Sequence, residues 1–425
     1  MKPALLPFDE ALVSLLAQAS PVAGDERIDI AAAGGRVLAA DIRSTLDVPP
    51  RDNTQMDGYA VRRADLLQAT PDRPVRLPVA QRIPAGHVGR PLAAGEAARI
   101  FTGGLIPEGA DAIVMQEMAA VEGDAVSFAH CPASGEWIRR AGEDIRSGSV
   151  ILAAGARLTA QATGLAASVG LASLPVRRAV RVACFFTGDE LAMPGEPLRP
   201  GAIYNSNRYV LGVLIRAMGC ELVDLGNVPD TLAATRDALR RAAQGNDLIV
   251  TSGGVSVGDE DHVKPAVEAE GELRMWQIAI KPGKPLAYGR VRRGAAAGTG
   301  AIAGAARGAD AGFAHFIGLP GNPVSSFVTF LLLVRPFLQR LQGMTEVAPR
   351  ALSMRADFDW PKPDRRREFL RARINANGGL DLFPNQSSGV LTSTVWADGL
   401  IDNPPQHPIA RGDVVHFLPF SELTK

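Results

Sequence analysis

Three loops combine glycines with polar and acidic residues, and each follows a short apolar segment. They read FTGDEL at 186–191, TSGGVSVGDED at 251–261 and GLPGNPVSS at 318–326. Glycines such as Gly253, Gly254 and Gly258 let backbone N–H groups approach an oxyanion, and a helix that follows adds the positive end of its dipole. One such loop is equally well explained as a tight turn, but three together favour a phosphate-binding cleft.

Acidic residues accompany these loops, namely Glu190, Asp230 and Asp261. Beside a phosphate they would repel it unless a hard cation intervened, and Mg²⁺ held by one or two carboxylates plus phosphate oxygens meets that need. The alternative is helix capping, because Asp230 and Asp261 each precede a predicted helix. The residue pattern leaves these two interpretations equal.

Two lysines, Lys281 and Lys284, lie in the segment IKPGKP at 280–285. The two prolines restrict the backbone and the glycine lets it turn, so both cations are held on a stiff loop. A single surface lysine is usually just a solvated charge, whereas a constrained pair favours oxyanion binding.

The N-terminal half contains polar clusters that do not by themselves indicate a function. A turn that leads into a strand explains NTQMDGYAV at 53–61, and a strand that leads into a turn explains FTGG at 101–104. RRAGEDI at 139–145 is consistent with a charged surface turn. The six histidines show no ligand spacing and no Ser-His-Asp arrangement, so zinc and covalent catalysis have little support.

Composition limits the class of protein. The 425 residues exceed one usual core and predict several domains. Lys plus Arg and Asp plus Glu both number 45, so no global field favours nucleic acid or an acidic membrane. The most apolar run, at 327–334, is far shorter than the roughly 20 residues that span a bilayer. Three cysteines without a CxxC pair fit a reducing cytoplasm, where we expect the protein to reside.

The elements that must position these loops alternate between strand and helix. Strands are predicted at 180–186, 221–228, 248–251 and 316–319, and helices at 206–218, 231–243, after Asp261 and at 324–341. Such alternation predicts a parallel sheet with right-handed crossovers. The N-terminal half predicts short strands, such as 98–101 and 111–115, with an amphipathic helix at the start and another helix at 159–171.

Two further features complete the organisation. Residues 293–312 are rich in Gly and Ala without an apolar period, which predicts a surface insertion. After Gly343, strand patterns at 368–374, 379–383 and 414–418 predict a small β domain. The predicted domains are a helical linker domain (1–26 and 147–176, with a boundary at Pro175), a β-rich domain (27–146), an α/β domain (177–341) and a C-terminal β domain (342–425).

The motifs in their order resemble the MoeA family, which also includes the E domain of gephyrin. They are MDGYAV at 56–61, TGG at 102–104 with PEGADAIVMQE at 107–117, RRAGEDI at 139–145, TGDEL at 187–191, SGGVSVGDED at 252–261, IKPGKP at 280–285 and GLPGNPVS at 318–325. The likeness extends from about residue 5 to the C-terminus. It implies a MogA-like parallel α/β sheet domain, N-terminal β-rich and helical linker domains, and a small C-terminal β-barrel domain.

The resemblance also implies an activity, which is conversion of adenylylated molybdopterin and molybdate to molybdenum cofactor with release of AMP in a Mg²⁺-dependent step. It implies a homodimer whose site is shared between subunits, and handover of the product to molybdoenzymes or their chaperones. Nucleic acid and membranes are not expected partners.

Site residues follow from matching positions in the motifs. One subunit would contribute Asp57, Thr102, Arg139 and Asp144. Its partner would contribute Glu190, Asp230, Asp261, Lys281 and Lys284. Glu190 and Asp261 would bind Mg²⁺ or the leaving phosphoryl group, and the lysines would bind molybdate or pyrophosphate. The resemblance places the substrate's phosphates and cofactor portion at Ser252, Gly253, Gly254, Ser256, Gly258, Pro320, Gly321, Asn322 and Ser387.

Two other functions are weighed against this one. The related adenylyltransferase, which makes the adenylylated pterin, resembles the α/β domain alone, and the extra domains argue against it. A gephyrin-type scaffold that binds receptor tails is ranked last, because the chain contains no fused second catalytic domain and no long linker.

Overall fold

The structure is a computed structural model that describes residues 5–254, 262–294 and 312–424. The chain forms two compact units. The large unit comprises Met1–Ala40, Gly155–Thr159 and Ser173–Lys425, and the small unit comprises Asp41–Ala154 and Ala160–Ala172. The four-domain division stays a prediction.

The regular elements are as follows. The helices are α1 (Phe8–Leu16), α2 (Ala160–Ser168), α3 (Ser206–Ala217), α4 (Leu232–Ala243), α5 (Val263–Glu270), α6 (Pro323–Thr329), α7 (Arg335–Leu341), α8 (Thr392–Trp396) and α9 (Phe420–Leu423). The first strands are β1 (Asp25–Asp29), β2 (Ile42–Arg43), β3 (Asn53–Thr54), β4 (Gly58–Val61), β5 (Val75–Ile83), β6 (Ala97–Ile100), β7 (Ala112–Met115), β8 (Ala119–Glu122), β9 (Ala125–Phe128), β10 (Ile138–Arg139), β11 (Val150–Leu152) and β12 (Ser173–Arg177). The others are β13 (Arg181–Thr187), β14 (Leu191–Ala192), β15 (Ile203–Tyr204), β16 (Glu221–Val228), β17 (Leu248–Ser252), β18 (Gly271–Gln277), β19 (Ile280–Lys281), β20 (Pro285–Arg292), β21 (Phe313–Leu319), β22 (Leu352–Arg355), β23 (Arg367–Ile374), β24 (Leu380–Leu382), β25 (Gly399–Asn403) and β26 (Val414–Pro419).

The central sheet of the large unit has the strand order β16-β13-β17-β21-β20-β18. The first four strands are parallel, as the alternating pattern predicts. The apolar strands β13 and β17 are buried along most of their length, because helices cover both faces of a parallel sheet. Two antiparallel strands, β20 and β18, extend one edge, and the sequence analysis did not predict them.

Two apolar clusters occupy the two faces of this sheet. One contains Leu15 of α1, Ile215 of α3 and Phe337 of α7, which confirms the predicted N-terminal helix as a packed element. The other contains Leu239 of α4 and Val267 of α5. The sheet is therefore held between two layers of helices, and its strand ends are left to carry loops.

The long helix predicted at 324–341 is interrupted in the structure by a π-helical turn, Phe330–Val334, between α6 and α7. Pro336 has no N–H to donate to the carbonyl one turn earlier, so a regular α-helix would lose a hydrogen bond here. The π-helical turn lies at this position. By length and composition Pro323–Leu341 could cross a membrane, but 89% of its apolar window is buried inside the fold. Burial of this kind is what a core helix shows.

A second sheet of the large unit contains the C-terminal strands in the order β19-β23-β25-β26-β22, with β24 beside β23. Strand β19 comes from the loop between β18 and β20, and it pairs in parallel with β23 so that Lys281 lies opposite Glu368. The KPGKP segment thus connects the central sheet to the C-terminal sheet. Pro175 lies inside β12, which pairs with β1.

The small unit is built on a sheet with the order β7-β4-β6-β5-β9-β8. Its two apolar clusters include Phe128 and Val114 in one and Ile100 and Ile113 in the other. The predicted helix at 159–171 is found as α2. Most of the predicted insertion, residues 295–311, lies outside the described residues.

Candidate functional site

A cavity of about 810 Å³ lies at the carboxyl ends of the parallel strands in the large unit. Its walls include Thr187 at the end of β13, Asp230 after β16, Ser252 at the end of β17 and Pro320 after β21. Open α/β sheets bind ligands at this edge, because the connecting loops diverge there. The first and third glycine-containing loops and residues 252–254 of the second therefore meet in one pocket.

The second and third loops are tied together at Ser252. Its hydroxyl donates to the carbonyl oxygen of Pro320 at 2.8 Å and accepts from the amide of Asn207 at 2.8 Å. Asn207 also donates to the carbonyl oxygen of Gly321 at 2.8 Å. Ser252 is only 3% exposed, so its side chain supports the loop, and a ligand meets mainly the loop's backbone.

Gly253 brings the first loop against the second. Its φ of 99° is in the left-handed region, and a Cβ there would lie 2.7 Å from the carbonyl oxygen of Thr187. Any side chain at this position would push the two loops apart. Gly254, with a φ of 62°, continues the same turn along the pocket.

The acidic wall of the pocket consists of Glu190 and Asp230. The carboxylate of Glu190 folds back over Gly188, where an added Cβ would lie 2.6 Å from its Oε2 atom. The N-cap of α4 is Thr231, whose hydroxyl accepts from the Ala234 N–H at 3.2 Å. Capping is therefore not what places Asp230 at the pocket.

The cationic wall consists of Lys281, Lys284 and Arg366. The ammonium of Lys281 lies 3.2 Å from Glu368 and 3.5 Å from Asp364. Arg366 donates to both oxygens of Asp364 at 3.0 Å, and this bidentate contact holds the pKa of Asp364 well below its usual range. Lys284 is exposed and forms no ion pair with any described residue.

The start of α6 and the loop at 386–388 close the pocket beside the cationic wall. Ser325 and Ser388 both line it, and the Val324 N–H donates to the carbonyl oxygen of Ser388 at 3.0 Å. Gly283 packs against the same helix, since a Cβ there would collide with the hydroxyl of Thr329. The pocket is thus completed by the C-terminal sheet.

The structure brings most of the expected large-unit residues into this pocket. Its lining includes Glu190, Asp230, Lys281, Lys284, Ser252, Gly253, Gly254, Pro320, Gly321, Asn322 and Ser387. Ser256, Gly258 and Asp261 lie outside the described residues. The remaining expected residues, Asp57, Thr102, Arg139 and Asp144, belong to the small unit.

Within the small unit, Asp57 and Thr102 form one cluster. The carboxylate of Asp57 accepts from the backbone N–H of Thr102 at 2.8 Å and from its hydroxyl at 2.7 Å. Both hydrogen bonds lower the pKa of Asp57, and the one from the backbone N–H has the larger effect. The motifs around Asp57 and Thr102 meet because β4 pairs with β6 and β7, an arrangement that leaves no room for a side chain at Gly58.

Arg139 and Asp144 lie in a second part of the small unit. Arg139 is in β10, opposite Asn53 of β3, and both Arg139 and Asp144 are exposed. The neighbouring Arg140 pairs with Asp52 at 2.6 Å, and this pair fixes the turn that carries them. Neither expected side chain has a described ion-pair partner, so both charges face solvent in this chain.

Several pocket residues were missed by the sequence analysis. They include Arg366, Asn205 and Asn207. Arg366 stands in a run of three arginines at 365–367, and nothing in that run distinguishes the one that faces the cavity. Asn205 could have been identified as the N-cap of α3, but not as a pocket residue.

Comparison with known proteins finds three family models along the chain. The MoeA N-terminal region (domain I and II) matches residues 6–170, a probable molybdopterin binding domain matches 183–340, and the MoeA C-terminal region (domain IV) matches 353–420. The matches follow one another in the order of the motifs.

Curated relatives are similar over most of the chain. The molybdopterin molybdenumtransferase of Haemophilus influenzae is 36% identical over 99% of this chain and 100% of its own. Molybdopterin molybdenumtransferase 2 of Mycobacterium tuberculosis is 37% identical over 89% of this chain and 90% of its own. A crystal structure of the molybdopterin biosynthesis moeA protein from Pyrococcus horikoshii OT3 superposes with a TM-score of 0.83 at 28% identity, covering 98% of this chain and 100% of that one.

Proposed function

The chain belongs to the MoeA family, and we propose from this membership that it inserts molybdenum into the pterin cofactor. The substrates are adenylylated molybdopterin and molybdate, and the products are molybdenum cofactor and AMP. The observation that carries the proposal is that a glycine loop, an acidic wall and a cationic wall line one cavity of about 810 Å³. That combination suits two anionic substrates which must be held together.

The cationic wall is the proposed molybdate side. Lys281, Lys284 and Arg366 carry three positive charges, and the serine hydroxyls of Ser325 and Ser387 are hydrogen-bond donors beside them. Molybdate is a compact oxyanion, and donors fixed in advance bind such an ion without reorganisation. Asp364 and Glu368 partly offset the cations and hold them in place.

The glycine loop is the proposed phosphate side. Gly253 and Gly254 place bare backbone against the cavity, and Asn322 lines it beside them. Phosphates held here would be oriented toward the cationic wall. The residues thus supply orientation and charge neutralisation, and no protein nucleophile is required.

Mg²⁺ fits the acidic wall by the chemistry of its donors. Among the described residues there is no cluster of three or more His, Cys, Asp or Glu side chains suited to a metal. Mg²⁺ is usually held by one or two carboxylates and by substrate phosphate oxygens, which Glu190 and Asp230 could satisfy, with Asp261 as a further candidate. When bound, Mg²⁺ supplies charge neutralisation at the phosphates.

The small-unit residues require a separate proposal. We propose a homodimer in which Asp57, Thr102, Arg139 and Asp144 of one subunit complete the site of its partner. The ionised Asp57 carboxylate, stabilised by Thr102, is suited to act next to a cation or a polarised donor. A cytoplasmic location, handover of the product to molybdoenzymes, and the absence of nucleic acid and membrane partners belong to the same proposal.

The test is conversion with purified components. Protein, adenylylated molybdopterin, Mg²⁺ and molybdate should yield AMP and a cofactor that reconstitutes an apo molybdoenzyme. Sulfate in place of molybdate should yield no active cofactor, and Glu190→Gln should lower the rate by about a hundredfold, as loss of a preorganised charge does.

Two outcomes would contradict the proposal. Absence of AMP release with all components present excludes the transfer. Formation of adenylylated pterin from molybdopterin and ATP, without metal insertion, would instead identify an adenylyltransferase.

A further inference from the structure

Arg371, in the middle of β23, is a buried cation close to the pocket. Its side chain is 1% exposed, and no carboxylate of a described residue pairs with its guanidinium. Burial lowers its pKa to about 10, which leaves the group charged at neutral pH. Burial of a charge without a counterion costs free energy unless hydrogen bonds compensate, so the hydrogen-bond partners of this guanidinium are informative.

The guanidinium donates to the turn that lines the pocket. Nη2 donates to the carbonyl oxygen of Ser387 at 3.2 Å, and Nε donates to the hydroxyl of Ser393 at 3.2 Å. The Arg371 backbone binds the same turn, since its N–H donates to Gln386 at 2.9 Å and its carbonyl accepts from the Gln386 amide at 3.0 Å. Arg371 therefore contacts the segment 386–393 at Gln386, Ser387 and Ser393.

The peptide between Ser387 and Ser388 is oriented by this contact. The bond is trans, so its N–H points opposite to its carbonyl. The carbonyl is directed at the buried guanidinium, and the Ser388 N–H is consequently directed away from it. No described residue accepts a hydrogen bond from this N–H, while Ser387 and Ser388 both line the cavity.

We propose that Arg371 is a positioning residue for molybdate, which fixes the Ser387–Ser388 peptide so that the Ser388 N–H donates to the bound oxyanion. The guanidinium polarises the peptide through its carbonyl and so strengthens the donor on the other side. It also adds a buried positive charge behind the turn that lines the pocket, without competing for contact with the ligand. This inference rests on the proposed function, because the oxyanion is taken to be that substrate.

The experiment compares Arg371→Met and Arg371→Lys with a matched control, Arg373→Met. Arg373 lies two residues further along β23, but its half-exposed guanidinium stands over the ring of Trp396 and 3.6 Å from Asp381, and it has no described hydrogen bond to the turn. For Arg371→Met, we expect the KM for molybdate and the Kd from calorimetric titration of molybdate alone to rise about tenfold, as loss of one charge-assisted hydrogen bond predicts. The kcat at saturating molybdate and the affinity for AMP should stay within about twofold.

The controls separate positioning from general stability. Arg371→Lys should recover part of the molybdate affinity, and Arg373→Met should bind like the unmodified protein. A purely structural role would lower the unfolding temperature and kcat while leaving KM unchanged, and that result would overturn the proposal. Equal molybdate affinity in Arg371→Met and Arg373→Met would do the same.

A measurement on the unmodified protein decides the matter if the variants do not fold. With ¹⁵N-serine labelling, the Ser388 amide should shift in NMR spectra and exchange more slowly on addition of molybdate. An amide unaffected by saturating molybdate would refute the inference. Since this test and the calorimetry use molybdate alone, failure of AMP release would contradict the proposed function without deciding the role of Arg371.

Discussion

The ammonium nitrogen of Lys281 lies 3.2 Å from Oε1 of Glu368, a carboxylate with no exposed surface. The other oxygen of Glu368 accepts from the indole N–H of Trp360 at 2.8 Å. Lys284, three residues further on, has no described ion-pair partner. The two lysines of the KPGKP segment therefore have different environments, and their substitution should have different effects.

Lys284→Ala should weaken molybdate binding and leave the stability of the fold unchanged. Lys281→Ala should weaken molybdate binding and also lower the stability. Removing Lys281 leaves the buried Glu368 without its cation, at a cost of about 2 kcal/mol after allowance for the partial exposure of the lysine. Urea unfolding and the KM for molybdate measure the two effects. Lys362→Ala, an exposed lysine outside the pocket, is the control.

The double substitution Lys281→Met with Glu368→Gln should regain most of the lost stability, because it removes both charges. Equal unfolding free energies for Lys281→Ala and Lys284→Ala would show that the pair with Glu368 is unimportant.

Gly253→Ala should destabilise the fold by about 2 to 4 kcal/mol and abolish nucleotide binding. The substitution combines an unfavourable φ of 99° with a close approach to the Thr187 carbonyl. Gly195→Ala is the matched control, because Gly195 has a φ of 96° and open space around it. It should cost about 1 kcal/mol. If both variants lose the same stability, the loop contact at Gly253 contributes nothing.

Thr102→Val should raise the pKa of Asp57 toward its ordinary value of 3.8, but not fully, since the backbone N–H of Thr102 remains. Because the folded pKa is the lower one, this interaction stabilises the fold above pH 3.8 and is lost as the pH falls through the folded value. Carboxyl ¹³C titration by NMR measures the shift. The control is Asp364, which lies in the other unit and whose pKa should not change. An unchanged pKa of Asp57 in Thr102→Val would disprove the role of the Thr102 hydroxyl.

In the proposed homodimer, Asp57→Ala and Glu190→Ala should each abolish cofactor synthesis, while mixed dimers of the two variants should recover about half of the activity. In a two-fold dimer with shared sites, one of the two sites would then be intact. A different affinity tag on each variant allows the mixed dimers to be purified away from the two homodimers. Mixed dimers as inactive as either parent would argue that the site is contained in one subunit.

Local pattern was sufficient for the elements of the central sheet. The strands β13, β16, β17 and β21 and helices α3 and α4 arise from apolar runs and amphipathic periods, which depend on neighbouring residues only. The antiparallel extension by β18 and β20 was not visible, because pairing direction depends on which strand lies alongside and not on the composition of either.

The sequence by itself determined which loops could bind phosphate, because glycine spacing and the residue types that follow are local properties. Only the tertiary structure decided which charges share the cavity. Pairing of β19 with β23 places Lys281 opposite Glu368. It also brings Arg366 and Ser387, which lie far along the chain from the glycine loops, to the pocket. Contacts between residues so distant in sequence are fixed by packing and strand register, which no single segment encodes.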